Sequence, residues 1–226
     1  MKIIRLTVEE LINIINNNEY IGMGSYGLVV KFNSDYLFKF NYKEFIECFK
    51  TDGNKISLVL ENPAKIFKEI EIRKNINKFM NGKQEPLRVQ NIKMLMAKQK
   101  YVTRTIFTQG LVYINDYCVG YLLKHHKNMI NLFDYIKNNS VSIKEQQAIL
   151  SNIKMAMLEL LDNGIYLNDF TMRNMMYNPQ TKEVQFIDFE DSLSCYPTKD
   201  KFSEELMLKK YERITKSFSK EAENIL

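Results

Sequence analysis

The sequence predicts an α+β protein in two lobes, on three observations. Short strand-like runs separated by Gly, Asn and Asp turns fill most of the first half, with one well-marked helix among them. Helical periodicity dominates the second half. The change falls near residues 121–127, and no internal repeat or low-complexity linker interrupts the chain. At 226 residues, 45% hydrophobic and 26% charged, the composition is that of a soluble globular protein with room for one domain built around a cleft. The expected organisation is an N-terminal helix in residues 1–19, a strand-rich lobe over 20–122 and a helical lobe over 123–226.

The elements follow in order. Thr7 before "VEELINII" is an N-cap with Glu10 three residues on, and Leu11, Ile12, Ile14 and Ile15 supply an apolar face. "YIGMGSYGLVVKF" is a strand, a glycine-rich turn and a second strand, and "YLFKFNY" returns after the "NSD" turn. Residues 41–62 mix helix, turn and strand signals and stay unassigned. Asn62-Pro63 opens a helix whose apolar residues Ile66, Phe67, Ile70, Ile76 and Phe79 recur at helical spacing, stopped by "MNGKQEP". Residues 88–125 are expected as strands with turns, and "NLFDYIKNN" as a short helix. Ser142 caps a long amphipathic helix with Glu145 three residues on, ending at Gly164. A hairpin turning at "PQTK" follows, and the tail beyond Asp200 is helical.

Charge and cysteine usage narrow the function classes. The net charge of +5 comes from dispersed lysines, so a solvated basic surface is expected and a nucleic-acid partner is not. Cys48, Cys118 and Cys195 are odd in number and far apart, which excludes a disulfide framework and a CxxC zinc site and points to a reducing compartment. No stretch reads as a cleaved signal or as a membrane span. A cytoplasmic protein is expected, or one exported without a cleaved signal into a host cytosol.

Four stretches carry chemistry. "GMGSYG" fits G-x-G-x-x-G with Gly22, Gly24 and Gly27, between two strands; glycines there let backbone cover a polyphosphate closely. Glycine-rich hairpin turns also occur without ligands. Lys39 lies between Phe38 and Phe40 on a strand and needs a partner if buried; Glu69 is the first choice and Glu71 the second. "LNDFTMRN" sets Asp169 five residues before Asn174, and "VQFID" ends a strand at Asp188. The hairpin between them returns Asn174 and Asp188 to one edge near Asp169, a set of hard oxygen donors that suits Mg²⁺. The structural alternative is that Asp169 caps a turn and Asp188 ends a strand.

Taken in this order, the stretches resemble the protein-kinase-like superfamily over roughly residues 20–192. "LNDFTMRN" is similar to the catalytic loop H-R-D-L-x-x-x-N, and "IDFE" to the metal-binding D-F-G. The resemblance implies a mainly antiparallel β N-lobe and a truncated helical C-lobe. It further implies ATP and Mg²⁺ as cofactors. Gly22, Gly24 and Gly27 would cover the phosphates, and Lys39 would contact them while held by Glu69. Leu122, Leu123 and Lys124 in "GYLLKHH" would hold adenine at a hinge. Asp169 would accept the proton of the attacking hydroxyl, and Asn174 and Asp188 would hold the metal.

The sequence departs from that pattern. Leu167 and Asn168 stand where the family has His and Arg, Glu190 replaces the Gly of D-F-G, and Thr171 replaces a lysine common in serine/threonine kinases. Arg173 sits where tyrosine kinases carry an arginine. Only 36 residues follow Glu190, without an A-P-E segment. The resemblance is therefore to reduced bacterial or viral kinases, with a protein hydroxyl as acceptor (Ser/Thr ahead of Tyr) and a protein substrate or activating partner. The alternatives are a small-molecule kinase of the aminoglycoside and choline type, or a pseudokinase that serves as a partner-binding module.

Overall fold

The computed structural model describes residues 2–24, 27–50, 60, 62–82, 84–105, 108–189, 193–194 and 200–223. The chain is α+β and divides into two compact units: Met1–Gln90 with Thr108–His125, and Asn91–Phe107 with His126–Leu226. The expected N-terminal helix is therefore part of the first unit. The division falls after His125 rather than after residue 122, and residues 91–107 belong with the helical part of the chain. Among the described residues no helix is long and apolar enough to cross a membrane.

The first unit opens with β1 (Lys2–Arg5) and α1 (Val8–Asn17). The capping box is formed: the Glu10 N–H donates to Thr7 Oγ1 at 3.1 Å and the Thr7 N–H to Glu10 Oε2 at 2.8 Å. Val8, Leu11 and Ile15 are buried, in keeping with helical spacing. Strands β2 (Tyr20–Met23), β3 (Leu28–Lys31) and β4 (Tyr36–Phe40) follow, then a 3₁₀ segment over Tyr42–Cys48 in the stretch left unassigned from sequence. Helix α2 (Pro63–Asn81) starts where the sequence marks it. Asn62 accepts the Lys65 N–H at 3.1 Å, and Gly82 at φ +62° closes the far end.

Helix α3 (Leu87–Lys98) corrects the expectation of strands from residue 88. Val89, Ile92 and Leu95 are buried at a spacing of three, and the Val89 and Gln90 amides donate to Pro86 O. Leu, Met, Lys and Gln fill most of the remaining positions, and all are good helix formers. The strand expectation holds further on, for β5 (Gly110–Ile114) and β6 (Tyr117–Lys124). Their two-residue turn, Asn115-Asp116, has φ +46° and +63°, the conformation that a tight hairpin needs and that Asn and Asp tolerate.

Among the described residues six strands form one mixed sheet in the order β1-β5-β6-β4-β3-β2, with β1 parallel to β5 and the other pairs antiparallel. Phe38, Phe40, Leu28, Val30 and Leu122 bury against α1, Ile66 and Ile70 of α2, and Phe45. Phe67, Ile76 and Phe79, expected on the apolar face of α2, are exposed. Cys48 and Cys118 are free and buried, and burial pushes the Cys118 thiol up to about 12, where it is inert. Cys195 lies outside the described residues.

The second unit contains β7 (Ile130–Asn131), α4 (Leu132–Asn138), α5 (Ile143–Asp162), β8 (Ile165–Tyr166), β9 (Met175–Tyr177), β10 (Val184–Phe186), β11 (Leu193–Ser194) and α6 (Lys201–Glu223). Ser142 caps α5 by accepting the Glu145 N–H at 3.3 Å. The Glu145 carboxylate is used elsewhere: Tyr135 Oη, Tyr177 Oη and Lys182 Nζ all donate to it, at 3.0, 2.7 and 2.7 Å. It thereby ties α5 to α4 and to the β9–β10 hairpin. Ile149, Ile153, Met157 and Leu160 of α5 form the centre of the core, closed by Met207, Ile214 and Phe218 of α6.

Candidate functional site

In the first unit the glycine-rich turn joins β2 to β3, as a hairpin closed by the Gly24 N–H on Gly27 O at 2.9 Å. The three glycines have different surroundings. Gly22 follows a register shift in the β2–β3 ladder, a place where glycine eases a bulge. A Cβ at Gly22 or Gly24 would meet no atom within 4 Å. At Gly27 it would come to 2.9 Å from both Cγ and Cε of Lys39. Gly27 is thus the floor over which the Lys39 side chain runs. Ser25 and Tyr26, between them, lie outside the described residues.

Lys39 sits on β4 between Val29 of β3 and Tyr121 of β6, only 9% exposed, on the opposite face from Phe38 and Phe40. Its Nζ is 5.9 Å from the Tyr121 ring centroid, near the outer limit of a cation–π contact. Burial of a lysine is costly unless its charge is answered, which sets this position apart from a surface strand lysine. Lys31, also on a strand, is half-buried and paired with Glu19 at 3.0 Å. On α2, Glu69 Oε1 accepts from Arg73 Nε at 2.7 Å and Glu71 pairs with Lys74 at 3.0 Å. Glu69 is the more buried of the two expected partners, and its bond to Arg73 was not foreseen. Leu122, Leu123 and Lys124 are the last residues of β6, opposite Phe38, Leu37 and Tyr36. Leu122 is buried and its carbonyl accepts the Gln109 N–H at 2.7 Å, while Lys124 is exposed.

The second unit brings together most of what the stretch from 164 to 189 promises. Helix α5 stops at Gly164, φ +64°. Leu167, where the resemblance would place a histidine, is buried, and its N–H points to Met207 Sδ at 3.3 Å. Core packing is what that residue does here. Asn168 is exposed, and its carbonyl accepts from Lys210 Nζ. Asp169 is exposed while the next residue, Phe170, is buried against the Phe186 ring at 5.2 Å, so the loop is nailed down one residue past the carboxylate.

A 3₁₀ turn over Met172–Asn174 then folds the chain back. Asn174 Nδ2 donates to Asp169 Oδ2 at 2.9 Å and to Asp169 O at 3.1 Å. The β9–β10 hairpin turns over Asn178–Lys182 and pairs Met175 with Phe186. One step further the Ile187 N–H donates to Asn174 O at 3.0 Å. Asp188 is therefore adjacent to the residue bonded to Asn174, as the hairpin expectation requires. Asp188 holds φ +68°, a left-handed conformation that costs a non-glycine residue on the order of 1 kcal/mol. Phe189 beyond it is buried. Glu190 lies outside the described residues.

These residues suit a hard cation in a specific way. With the amide nitrogen of Asn174 committed to Asp169, its Oδ1 is the oxygen left to offer a metal. Among the described residues no group of three His, Cys, Asp or Glu side chains is clustered as a metal cage. One carboxylate and one amide are the protein's share in sites where Mg²⁺ keeps waters and phosphate oxygens. Sequence patterning gave no sign of the Glu145 hub or of the cations that α6 presents beside Asp169, since neither involves residues close in the chain. No family model and no curated protein matches the chain.

Proposed function

We propose that the protein is an ATP- and Mg²⁺-dependent phosphotransferase, a reduced relative of the protein kinases that transfers the γ-phosphate to a protein hydroxyl. The observation that carries this reading is the Asn174–Asp169 hydrogen bond of 2.9 Å, in a loop whose own hairpin returns Asp188 beside Asn174. A carboxylate bonded to an amide side chain, on a residue whose backbone in turn holds the neighbour of a second, left-handed aspartate, is more than a turn cap requires. The glycine hairpin, with the buried Lys39 packed against Gly27, supports the phosphate-binding part of the reading in the first unit.

In this reading Asp169, oriented by Asn174, accepts the proton of the acceptor hydroxyl. Asn174 Oδ1 and Asp188 hold the cation, which neutralises charge on the phosphates. Lys39 meets the α- and β-phosphates beside backbone supplied by Gly22, Gly24 and Gly27, and Leu123 and Lys124, beyond the bonded Leu122 carbonyl, offer backbone groups to adenine. Catalysis of this kind is mainly positioning and charge neutralisation. The test is transfer of labelled γ-phosphate from ATP with Mg²⁺, to the protein itself and to a generic protein acceptor, beside Asp169→Asn. Label from the wild type and a loss of at least about a hundredfold in the variant is expected for removal of a catalytic base. Equal labelling by both would remove Asp169 from the role, and no transfer by either would move the protein to the pseudokinase or small-molecule kinase readings.

A further inference from the structure

Beside Asp169 the second unit holds an open cavity of about 450 Å³ whose wall has a consistent charge. Three cations line it, Arg173, Lys210 and Arg213, against the single carboxylate of Asp169. Phe133, Met172 and Ile214 supply apolar surface between them. The cations are fixed in different ways. The Arg173 guanidinium lies 4.5 Å from the Phe133 ring centroid, and its backbone carbonyl accepts from Asn131 Nδ2 at 2.7 Å. Lys210 is bonded to Asn168 O, one residue from Asp169. Arg213 stands one turn further along α6, which buried Met207, Ile214 and Phe218 and the Tyr211 hydroxyl on Leu150 O lock in rotation.

We propose that this cavity takes an acidic peptide segment, carboxylates flanking the residue whose hydroxyl is presented to Asp169. The assignment rests on the phosphotransferase reading for the word acceptor, and on charge and geometry for the acidic class. A cationic acceptor, an aminoglycoside or a choline-like amine, meets three cations against one carboxylate. Lys210 and Arg213 lie one helical turn apart, about 4.5 Å at 1.5 Å per residue, and Arg173 lines the same cavity from the loop after Asp169. Three cations on one cavity match several carboxylates of a peptide, whereas one small anion engages one or two of them. Arginine suits carboxylate recognition because its planar fork pairs with both oxygens, and a guanidinium resting on an aromatic face keeps its edge donors available.

The test uses the full chain and fluorescent peptides with alanine at the acceptor position, so that binding is read without transfer. Asp- and Glu-flanked peptides are compared with neutral and Lys-flanked ones by anisotropy at low and physiological salt. The acidic peptide is expected to bind at least about tenfold tighter than the neutral one and to weaken with salt. Arg213→Glu, at an exposed position, is expected to reduce that affinity about tenfold. Lys154→Glu, at an exposed position of α5 outside the cavity, makes the same kind of charge change and is expected to leave the affinity within about twofold. Equal losses in the two variants, or no preference among the peptides, would overturn the proposal. So would full displacement of the acidic peptide by an equal concentration of inorganic phosphate, which would make the ligand a small anion. A serine-containing copy of the acidic peptide separates the two readings. Binding without transfer upholds the acidic surface and removes the phosphotransferase, and transfer without acidic preference does the reverse.

Discussion

Alanine at Gly24 and alanine at Gly27 are expected to do opposite things, although the two glycines belong to one four-residue turn. Neither has left-handed backbone, so a methyl group is judged by space alone. At Gly27 it meets Lys39 Cγ and Cε at 2.9 Å and Phe40 O at 3.2 Å. Cγ is close to the backbone and gives way poorly, so overpacking costs about 1–3 kcal/mol. For a chain of this size that lowers Tm by roughly 2–4 °C per kcal/mol, whether or not nucleotide is present. At Gly24 the methyl meets nothing within 4 Å and makes the unfolded chain stiffer, so the nucleotide-free protein is unchanged or gains up to about 1 kcal/mol.

Nucleotide separates the two further. Wild type with MgATP at one hundred times its Kd gains about 2.7 kcal/mol. If the space beside Gly24 is where phosphate oxygens lie, its methyl takes their place. A tenfold loss of affinity then leaves a gain of about 1.4 kcal/mol, about half the thermal shift. Thermal denaturation of wild type, Gly22→Ala, Gly24→Ala and Gly27→Ala, with and without MgATP, reads both quantities. A full nucleotide shift in Gly22→Ala and Gly24→Ala would refute the covering role of the hairpin. A wild-type Tm for Gly27→Ala would refute its role as the floor of Lys39.

Two other outcomes are expected. Asp188→Asn preserves a side chain that tolerates φ +68° and should keep Tm within about 2 °C, yet abolish the Mg²⁺-dependent part of nucleotide binding in calorimetry; undiminished Mg²⁺ dependence removes Asp188 from the metal. Lys182, with Tyr177 and Tyr135, holds the Glu145 carboxyl below its ordinary value of 4.5, so its stabilisation is complete above that value and is lost as pH falls through the lower folded one. Glu145→Gln should cost about 1–2 kcal/mol at neutral pH and match wild type in strong acid by urea denaturation; parallel curves down to the acid limit would refute the hub.

Where local rules decide the structure, the sequence was enough. The Thr7 capping box, the Pro63 start of α2, the Ser142 start of α5 and the glycine stops are each written within five residues. The hairpin that bonds Ile187 back to Asn174 is local in the same way, because a tight turn converts spacing directly into pairing. Failures came where partners are distant or periods ambiguous. Val89, Ile92 and Leu95 leave too few apolar marks to separate a helix from a strand, and only their shared burial decides. The pairing of β1 with β5 is parallel and far apart in the chain, so no turn announces it. Glu69 bonds Arg73 one helical turn on, a local pair that competes with any longer-range partner for the same carboxylate. The cations of α6 have ordinary surface spacing, and only the docking of that helix beside Asp169 gives them meaning.

The passage of Asn91–Phe107 into the helical unit, before the sheet has received Thr108–His125, has a consequence in time rather than in space. On the ribosome Lys2 must wait for Gly110, its parallel partner, which takes roughly 5–20 s at ordinary elongation rates. Through that interval β2, β3 and β4 have formed no ladder with β6, and one edge of the nascent sheet stays bare. Thr103 and Arg104 wait in turn for Glu159, which their amides and the Thr103 hydroxyl will bond at 2.8–2.9 Å. Neither unit is a contiguous piece that can be finished before the other begins. A gene cut at residue 125 would thus yield two fragments, the second lacking the strand of chain that seats Val102 in its core, and chaperone demand during synthesis should fall on the whole protein rather than on either half.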